Sequence, residues 1–417
     1  MLYFSLVIFF TCFLEIKFYK SYITPYTGIA IANYFLIIYN NLISIRYGFY
    51  SIDDDTLIKL SFFYLSIFGV SILYKTIFFN ESKTRFLDYY IKSISAKLGI
   101  LVVLFYIGLL ARYISLFQSI SRFGFDNIKG NSFGIFAHIG NLAIVISPFI
   151  LLIVMQYKIK RYLILPWSLV FLNILLFGGK YGMIFFVLHN VLFISMIFQN
   201  KFINLFFKAL LIVFIGIIIF ILIYGVIPLL STGDFTLEKL SERMDFILKH
   251  FSFYLTSPVV ASAEMLRLPG SIHNGIEIIF TVPINIFRAL SRSGLYIMPV
   301  IPNKIPVSFE YSTNVGGLIG ELVFTGGYQI AFFVLILLYI IIYLFYTKAI
   351  FSSKYISLTS LLLSASILSF FCNFYTVFGV VIQFIILFII EKFILNKEMR
   401  KIIYHEKISD NIIELER

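Results

Sequence analysis

Two arginines four residues apart, Arg288 and Arg292, are the pair whose type and spacing indicate the most specific chemistry in this chain. Side chains four positions apart share one face of a helix, and two guanidinium groups on one face can hold a diphosphate through forked hydrogen bonds. Arginines in a last helical turn also complement the helix dipole or contact lipid headgroups. The pair therefore predicts a diphosphate-binding site, with these structural roles as the alternative.

Other cations flank the predicted connections. Lys180 follows two glycines in the segment FGGKYG, where the start of a helix offers free N–H groups to an anion. The alternative for Lys180 is a side chain that extends to the membrane interface. Arg112, Arg122 and Lys129 flank another connection, where each is interpreted as an interface anchor or a ligand contact. The candidate substrate contacts among the remaining arginines are Arg122, Arg243 and Arg267.

Three residues are candidates for a catalytic role, two of them as a general base: Glu321, His250 and His273, of which the histidines are the candidate bases. A carboxylate within an apolar run is costly and indicates function, although Glu321 can instead pair with a nearby arginine. A histidine titrates near neutral pH, as a general base requires, but histidines in a loop are also common without a catalytic role. Gly316 and Gly317 can let a substrate, or a neighbouring helix, approach the backbone.

The elements that must position these residues are membrane helices. The chain is 60% hydrophobic and 13% charged, with a mean hydropathy of +0.96, whereas an ordinary soluble domain has roughly 25% charged residues. Its apolar runs reach the roughly 20 residues needed to cross a bilayer. We therefore predict an all-α, polytopic membrane protein with about eleven transmembrane helices. The predicted spans are 1–16, 23–45, 57–79, 95–117, 134–157, 162–178, 181–199, 203–230, 315–346, 355–372 and 374–391.

The distribution of basic residues predicts the orientation of these helices. Every second connection, together with the tail, is rich in basic residues, which mark the cytoplasmic side. These residues are Lys17, Lys20, Lys83, Arg85, Lys92, Lys158, Lys160, Arg161, Lys201, Lys208, Lys348, Lys354, Lys392, Lys397, Arg400, Lys401 and Lys407. The N-terminus and the long loop are then periplasmic, and the C-terminus is cytoplasmic. Because the net charge of +12 is spread along short connections, nucleic-acid binding is not expected.

Four parts follow from this arrangement: helices 1–8 in residues 1–230, a periplasmic loop in 231–314, helices 9–11 in 315–392 and a cytoplasmic tail in 393–417. The loop contains an amphipathic pattern, with apolar residues at three- and four-residue steps. These residues are Leu237, Leu240, Met244, Ile247, Leu248, Phe251 and Leu255. Pro283 can begin a second helix, over 284–293, which Gly294 would end. The sequence thus predicts an ordered loop with amphipathic helices.

The sequence offers no ligand set for a metal or a nucleotide. Cys12 and Cys372 both lie in apolar runs, so neither a structural disulfide nor a zinc site is expected. The chain contains no P-loop, dinucleotide fingerprint or HExxH motif. We therefore expect any reaction to proceed without a cofactor.

Two stretches, together with the overall organisation, resemble the Wzy-type O-antigen polymerases, also called oligosaccharide repeat unit polymerases. In FGGKYGMIFF (177–186) a small-residue turn precedes an apolar helix, and Lys180 stands where the family usually has arginine. STNVGGLIGELVFTGGYQIAFF (312–333) is similar to the family's glycine-rich start of a late helix. It departs from that pattern at the last glycine, because Gln329 and Ile330 follow Tyr328. One dominant external loop between late helices completes the resemblance.

The resemblance implies a glycosyltransferase of the bacterial inner membrane. It would join oligosaccharide repeat units linked to undecaprenyl diphosphate on the periplasmic face and release undecaprenyl diphosphate, without metal or nucleotide. Partners would be membrane lipid and, in the same pathway, a chain-length regulator and a flippase. Two alternatives remain open: an O-antigen ligase, which has similar spans and a large late loop, and a non-enzymatic flippase or transporter of lipid-linked oligosaccharide.

Overall fold

The structure is a computed structural model, and it describes most of the chain. The described residues are 1–77, 87–124, 134–177, 180–198, 237–270, 277, 279–291, 297 and 304–415. The predicted span 203–230 and the predicted end of the helix after Pro283 lie outside these residues. Every other predicted span contains a helix. The all-helical prediction is therefore confirmed, apart from one small hairpin.

The helices of the first half begin and end close to the predicted spans. They are α1 (Leu2–Tyr19), α2 (Pro25–Leu42), α3 (Asp54–Ile77), α4 (Leu87–Ala96), α5 (Leu98–Phe123), α6 (Gly134–Ile139), α7 (Asn141–Gln156), α8 (Ile164–Leu176) and α9 (Lys180–Ile197). Local sequence explains the start of α2, where Pro25 occupies the first turn and the Thr24 side chain accepts the N–H of Thr27 at 3.1 Å. Short 3-10 helices connect some of these elements, including Ser44–Tyr47.

The second half contains the elements of the predicted loop and the late helices. They are α10 (Leu237–Arg267), α11 (Thr281–Ser291), β1 (Ile305–Pro306), β2 (Ser312–Thr313), α12 (Gly317–Ser352), α13 (Ile356–Ile367), α14 (Phe378–Ile389) and α15 (Asn396–Leu415). A π-helical segment, Ile390–Leu395, joins α14 to α15. The strands pair antiparallel, with Ile305 opposite Thr313. This hairpin departs from the all-α prediction, and its first strand ends at Pro306.

Several helices have the length and composition of membrane spans. Six segments in the described part of the chain qualify: Leu2–Tyr19, Asp54–Ile77, Leu98–Phe123, Gly134–Gln156, Gly317–Ser352 and Phe378–His405. Two shorter apolar segments are Gly182–Ile197 and Ile356–Phe370. The chain is therefore an all-α membrane protein, as predicted. The number of eleven spans and the orientation stay predictions.

The chain divides into two compact units. Unit 1 consists of Met1–Ile72, Phe198–Tyr339 and Ser366–Thr376. In it, α10 packs against α2 and against the hairpin. The core around the hairpin is made of Phe49, Val260, Ala261, Met265, Ile305, Val307 and Phe324. This core packs residues of α10 and α12 against the hairpin in unit 1, the unit that holds most of the predicted site residues.

Helix α10 confirms the predicted amphipathic helix and extends further than the pattern indicated. In its first half Ile247 is buried, whereas Met244 and Leu248 are exposed. The helix continues past Leu255 and through Pro258, and its residues 256–263 are all buried. Small and hydroxyl side chains in that second half allow close packing, although they do not produce an amphipathic pattern.

Unit 2 consists of Leu73–Ile197, Ile340–Ala365 and Val377–Arg417. In it, α5 packs closely against α7, since a Cβ atom on Gly108 would lie 2.4 Å from the backbone nitrogen of Ala143. The tail helix α15 packs against α4, with an ion pair between Lys97 and Glu398 at 3.1 Å. Unit 2 thus combines membrane-spanning helices with the predicted tail.

A buried carboxylate holds the start of α13 in unit 2. Glu391 accepts the hydroxyl of Tyr90 at 2.5 Å. It also accepts the backbone N–H groups of Ser357 at 3.0 Å and Leu358 at 2.9 Å. Since the first N–H groups of a helix have no partner within the helix, Glu391 satisfies two of them from a distant segment. This carboxylate therefore has a structural role in the fold.

Candidate functional site

The structure places most of the predicted site residues in unit 1. These are Glu321, His250, Arg243, Arg267, Arg288, Gly316 and Gly317. Arg122 and Lys180 belong to unit 2. His273 and Arg292 lie outside the described residues. The predicted arginine pair is thus described only at Arg288.

Glu321 lies in the first turns of α12 and is buried. Its Oε1 atom accepts the N–H of Gly316 at 3.3 Å, and its Oε2 atom accepts the N–H of Asn373 at 3.0 Å. Both carboxylate oxygens therefore contact backbone amides, and neither contacts an arginine among the residues that the structure describes. The arrangement joins the start of α12 to the connection that follows α13.

The glycines before Glu321 lie in close contact with neighbouring segments. A Cβ atom on Gly316 would lie 2.1 Å from the sulfur of Met265. Gly317 has a φ of 67°, and a Cβ atom there would lie 2.8 Å from the carbonyl oxygen of Phe370. These contacts are of the kind that glycines make in helix packing, the alternative considered from the sequence.

Arg267 ends α10 and contacts two carboxylates. Its Nη2 atom is 2.8 Å from Asp53 and its Nη1 atom is 2.6 Å from Glu264. Asp53 also accepts the N–H of Thr56 at 2.9 Å, and the hydrogen bonds from Thr56 and Arg267 lower the pKa of the Asp53 carboxyl below its usual value of 3.8. The charge of Arg267 is therefore balanced within unit 1.

His250 and Arg243 lie on α10. The ring of His250 stacks on Phe246, with centroids 5.6 Å apart, and meets Tyr254 edge-on at 4.9 Å. Arg243 is partly buried on the preceding turns of the same helix. One turn of α10 is also tied to the hairpin region, because Lys249 pairs with Glu310 at 2.8 Å. His250 thus lies in an aromatic environment on an element that is held in place.

Arg288 lies on α11 beside exposed apolar side chains. Its guanidinium is 28% exposed and is 3.8 Å from the carboxylate of Glu277. Phe287, its neighbour in the chain, is 68% exposed, and Ile286 and Phe280 are exposed as well. Helix α11 therefore carries a cation and exposed apolar side chains within the same few turns.

One side chain of α11, that of Asn285, forms two hydrogen bonds with a later residue of the chain. Asn285 donates from Nδ2 to the carbonyl of Ile297 at 2.8 Å, and its Oδ1 atom accepts the N–H of Ile297 at 2.8 Å. The side-chain amide of Asn285 thus pairs with both backbone polar groups of Ile297. The helix predicted after Pro283 is confirmed, although it begins two residues before that proline, at Thr281.

The unit 2 candidates both lie at helix termini. Lys180 is the first residue of α9, which confirms the helix start predicted from the preceding glycines. Arg122 lies in the last turn of α5, with its guanidinium 5.6 Å from the centroid of the Phe123 ring. The predicted span 95–117 ended too early, since α5 continues to Phe123. Arg112 therefore lies about three turns inside the helix and not at its boundary.

Arg112 lines a cavity of about 390 Å³ in unit 2 that the sequence analysis did not identify. Its Nε atom donates to Asn173 at 2.8 Å. The cavity residues are Arg112, Ser115, Gly134, Ala137, His138, Asn141, Ile174, Phe177, Val377, Phe378 and Gly379. A guanidinium within an apolar run was the available signal, because such charges are rare inside membrane helices. The sequence analysis instead places Arg112 beside a connection, as an interface anchor or a ligand contact.

The described residues include no group of three His, Cys, Asp or Glu side chains that could hold a metal ion. No protein-family model, curated protein or solved structure matches the chain. The functional argument therefore rests on the sequence organisation and on the contacts described above.

Proposed function

We propose that the protein is an O-antigen polymerase, a glycosyltransferase that joins oligosaccharide repeat units linked to undecaprenyl diphosphate. The observation that carries this proposal is that α11 carries both Arg288 and the exposed apolar side chains of Ile286 and Phe287. A lipid diphosphate has an apolar chain and an anionic group, so its binding surface requires both kinds of contact next to each other. Helix α11 offers this combination on an extramembrane element.

The reaction would transfer the growing glycan from its lipid diphosphate to a sugar hydroxyl of a new repeat unit. As the bond to the glycan breaks, the leaving diphosphate gains negative charge. A guanidinium placed at this group lowers the barrier because it interacts more strongly with the transition state than with the ground state. Arg288 is assigned this role together with Arg292, while Arg243, Lys180 and Arg122 are further candidates. The transfer uses no metal and no nucleotide.

A base would take the proton from the acceptor hydroxyl. His250 suits this role better than Glu321, because each oxygen of Glu321 already accepts a backbone N–H. His250 is partly exposed and lies on α10. His273 remains the other candidate of this type. Gly316 and Gly317 would support the fold near Glu321, and Arg267 would do the same through its two carboxylates.

The proposal includes a bacterial inner membrane location with about eleven spans, a periplasmic N-terminus and loop, and a cytoplasmic tail. The orientation depends on which connections lie on the same side of the membrane. The lining of the unit 2 cavity supports that assignment for three connections. Its lining includes Gly134, Phe177 and Val377, which border three different connections. The charge pattern assigns these three connections to the same side. A chain-length regulator and a flippase would act with the protein.

Deletion of the gene distinguishes the candidate functions. Loss of a polymerase leaves lipopolysaccharide with a single repeat unit, whereas loss of a ligase leaves lipopolysaccharide without any repeat. Loss of a flippase leaves repeat units inside the cell. Gel analysis of lipopolysaccharide from deleted and complemented cells should therefore show a single-repeat band that returns to a ladder on complementation. A ladder that persists in the deleted cells would contradict the proposal.

A further inference from the structure

The cavity around Arg112 is rich in hydrogen-bond donors that have no acceptor. The Nε atom of Arg112 is engaged by Asn173, and its Nη1 and Nη2 atoms have no partner within the part of the chain that the structure describes. Asn141 accepts Gln383 Nε2 at 2.9 Å through its Oδ1 atom, which leaves its Nδ2 group without an acceptor among the described residues. N–H groups without an acceptor in a partly buried site favour the binding of an anion.

The charges around this cavity have one sign. Arg112 and His138 are its ionisable lining residues, and no described lining residue carries a carboxylate. The ring of His138 meets Phe378 edge-on, with centroids 5.1 Å apart. A guanidinium without a counter-ion is costly in such surroundings, so a bound anion would stabilise it.

Two helix starts border the same cavity. Asn141 is the first residue of α7, and Phe378 and Gly379 are the first two residues of α14. Neither helix has a side-chain cap at its start. The positive ends of both helix dipoles therefore add to the field of Arg112.

A glycine makes room for the guanidinium in this position. A Cβ atom on Gly140 would lie 2.6 Å from the Cγ atom of Arg112, so any larger residue would displace the arginine. The cavity volume of about 390 Å³ falls in the usual range for small-molecule sites, roughly 300–1,000 Å³, and greatly exceeds that of a halide. Two Nη groups on one guanidinium match two oxygens of a phosphate.

An open groove adjoins the cavity and shares Gly134 with it. Phe117, which is 66% exposed, and Ile135, which is 68% exposed, line this groove. An acyl chain could lie along these side chains while its headgroup occupied the cavity. The groove is therefore the feature that favours a lipid as the source of the anion.

We propose that the Arg112 cavity binds a phosphate group, carried either by a lipid headgroup or by a free phosphate ion. Arg112 and Asn141 donate to the phosphate oxygens, and the starts of α7 and α14 add their dipoles. The cavity is separate from Arg288 and α11, since its lining residues all belong to unit 2, although Arg122, a further candidate for diphosphate binding, lines the adjoining groove.

The test uses the purified full chain in a maltoside detergent without phosphate. The thermal unfolding midpoint is measured while sodium phosphate or short-chain phosphatidylglycerol is added, with sodium chloride at matched ionic strength as the blank. Wild type is compared with Arg112→Gln and Asn141→Asp, and with Arg46→Gln as a control that removes an exposed charge. Asn141→Asp keeps the oxygen that accepts Gln383 and adds a negative charge to the cavity.

Wild type and Arg46→Gln should be stabilised at low ligand concentration, whereas Asn141→Asp and Arg112→Gln should need at least tenfold more ligand. A shift with phosphatidylglycerol alone identifies a lipid headgroup, and a shift with sodium phosphate identifies the free ion. If Arg112→Gln does not fold, Asn141→Asp decides. No shift beyond that of sodium chloride in wild type, or an equal shift in Asn141→Asp, would overturn the proposal.

Discussion

Glu321 and Asn373 are joined by a hydrogen bond of 3.0 Å from the backbone N–H of Asn373 to the Glu321 carboxylate, across 52 positions of the chain. The other oxygen of this carboxylate accepts the N–H of Gly316. A single side chain thus holds two connections of unit 1 together. A buried carboxylate that the sequence marked as a catalytic candidate therefore has a structural task.

The Glu321 contacts predict a loss of stability when the carboxylate is removed. Glu321→Ala leaves two buried N–H groups without an acceptor, at a cost of about 1–3 kcal/mol each. Glu321→Gln keeps one acceptor and should destabilise less. Thermal unfolding of purified variants measures this order, with Asp88→Asn at an exposed position of α4 as the control. A purely structural role for Glu321 also predicts that folded Glu321→Gln protein keeps its activity within about threefold of wild type. A larger loss of activity at equal folded amount would assign Glu321 as a base.

The assignment of Arg288 and Arg292 to diphosphate binding predicts that their substitution shortens the glycan. Arg288→Ala and Arg292→Ala, at normal protein levels, should abolish long-chain glycan, because the leaving diphosphate loses its cation. Arg288→Lys should restore little, since lysine cannot form the forked contact. The measurement is the lipopolysaccharide ladder of complemented cells, with Arg46→Ala as the control. Ladders of normal length in both alanine variants would exclude this site assignment.

The contacts of Asp53 predict a pH-dependent contribution to stability. Because Thr56 and Arg267 lower the pKa of the Asp53 carboxyl in the folded protein, its contribution is complete above the unfolded pKa, about 3.9. The contribution is lost as the pH falls through the lower folded pKa. Asp53→Asn should therefore lower the unfolding midpoint at pH 7 and have a smaller effect at pH 3.

Solvent exposure limits how much the ion pair between Asp53 and Arg267 stabilises the folded protein. Since both side chains of the ion pair are more than a third exposed, we expect at most about 1 kcal/mol at neutral pH. Asp245→Asn, at an exposed position of α10, serves as the control. An Asp53→Asn difference that grows as the pH decreases would contradict the assigned sign.

The contact between α5 and α7 predicts a steric effect of one methyl group. Gly108→Ala would place a Cβ atom 2.4 Å from the backbone nitrogen of Ala143, so the two helices must separate. Overpacking of this kind costs about 1–3 kcal/mol. Gly99→Ala in the same helix has no atom within 4 Å of the added Cβ and should be neutral or slightly stabilising. Equal unfolding midpoints of the two variants would be inconsistent with this packing.

Local signals predicted much of the helical structure. The glycines before Lys180 correctly marked the start of α9, and the apolar spacing from Leu237 to Leu255 correctly marked α10. Hydropathy missed the end of α5, because polar residues between Gln118 and Arg122 end the apolar run before the helix ends at Phe123. The shorter predicted span leaves Arg112 beside a connection, where an interface anchor and a ligand contact are both possible, and it does not indicate the cavity.

Long-range contacts were beyond what spacing along the chain can indicate. The hydroxyl of Tyr90 contacts Glu391 across 301 positions, and the pairing of Asn285 with Ile297 depends on the path of the loop. Glycines at 316 and 317 were ambiguous between substrate approach and helix packing until their neighbours Met265 and Phe370 were located. The site was therefore predictable in residue type, whereas the partners of each residue required the structure.

The central claim is tested most directly by incubating the purified full chain in detergent with a lipid-linked repeat unit and no nucleotide or metal. We predict that wild type releases undecaprenyl diphosphate and forms longer lipid-linked glycans, and that Arg288→Ala forms neither at equal folded amount. Absence of both products with wild type, under conditions in which an established polymerase is active, would contradict the account.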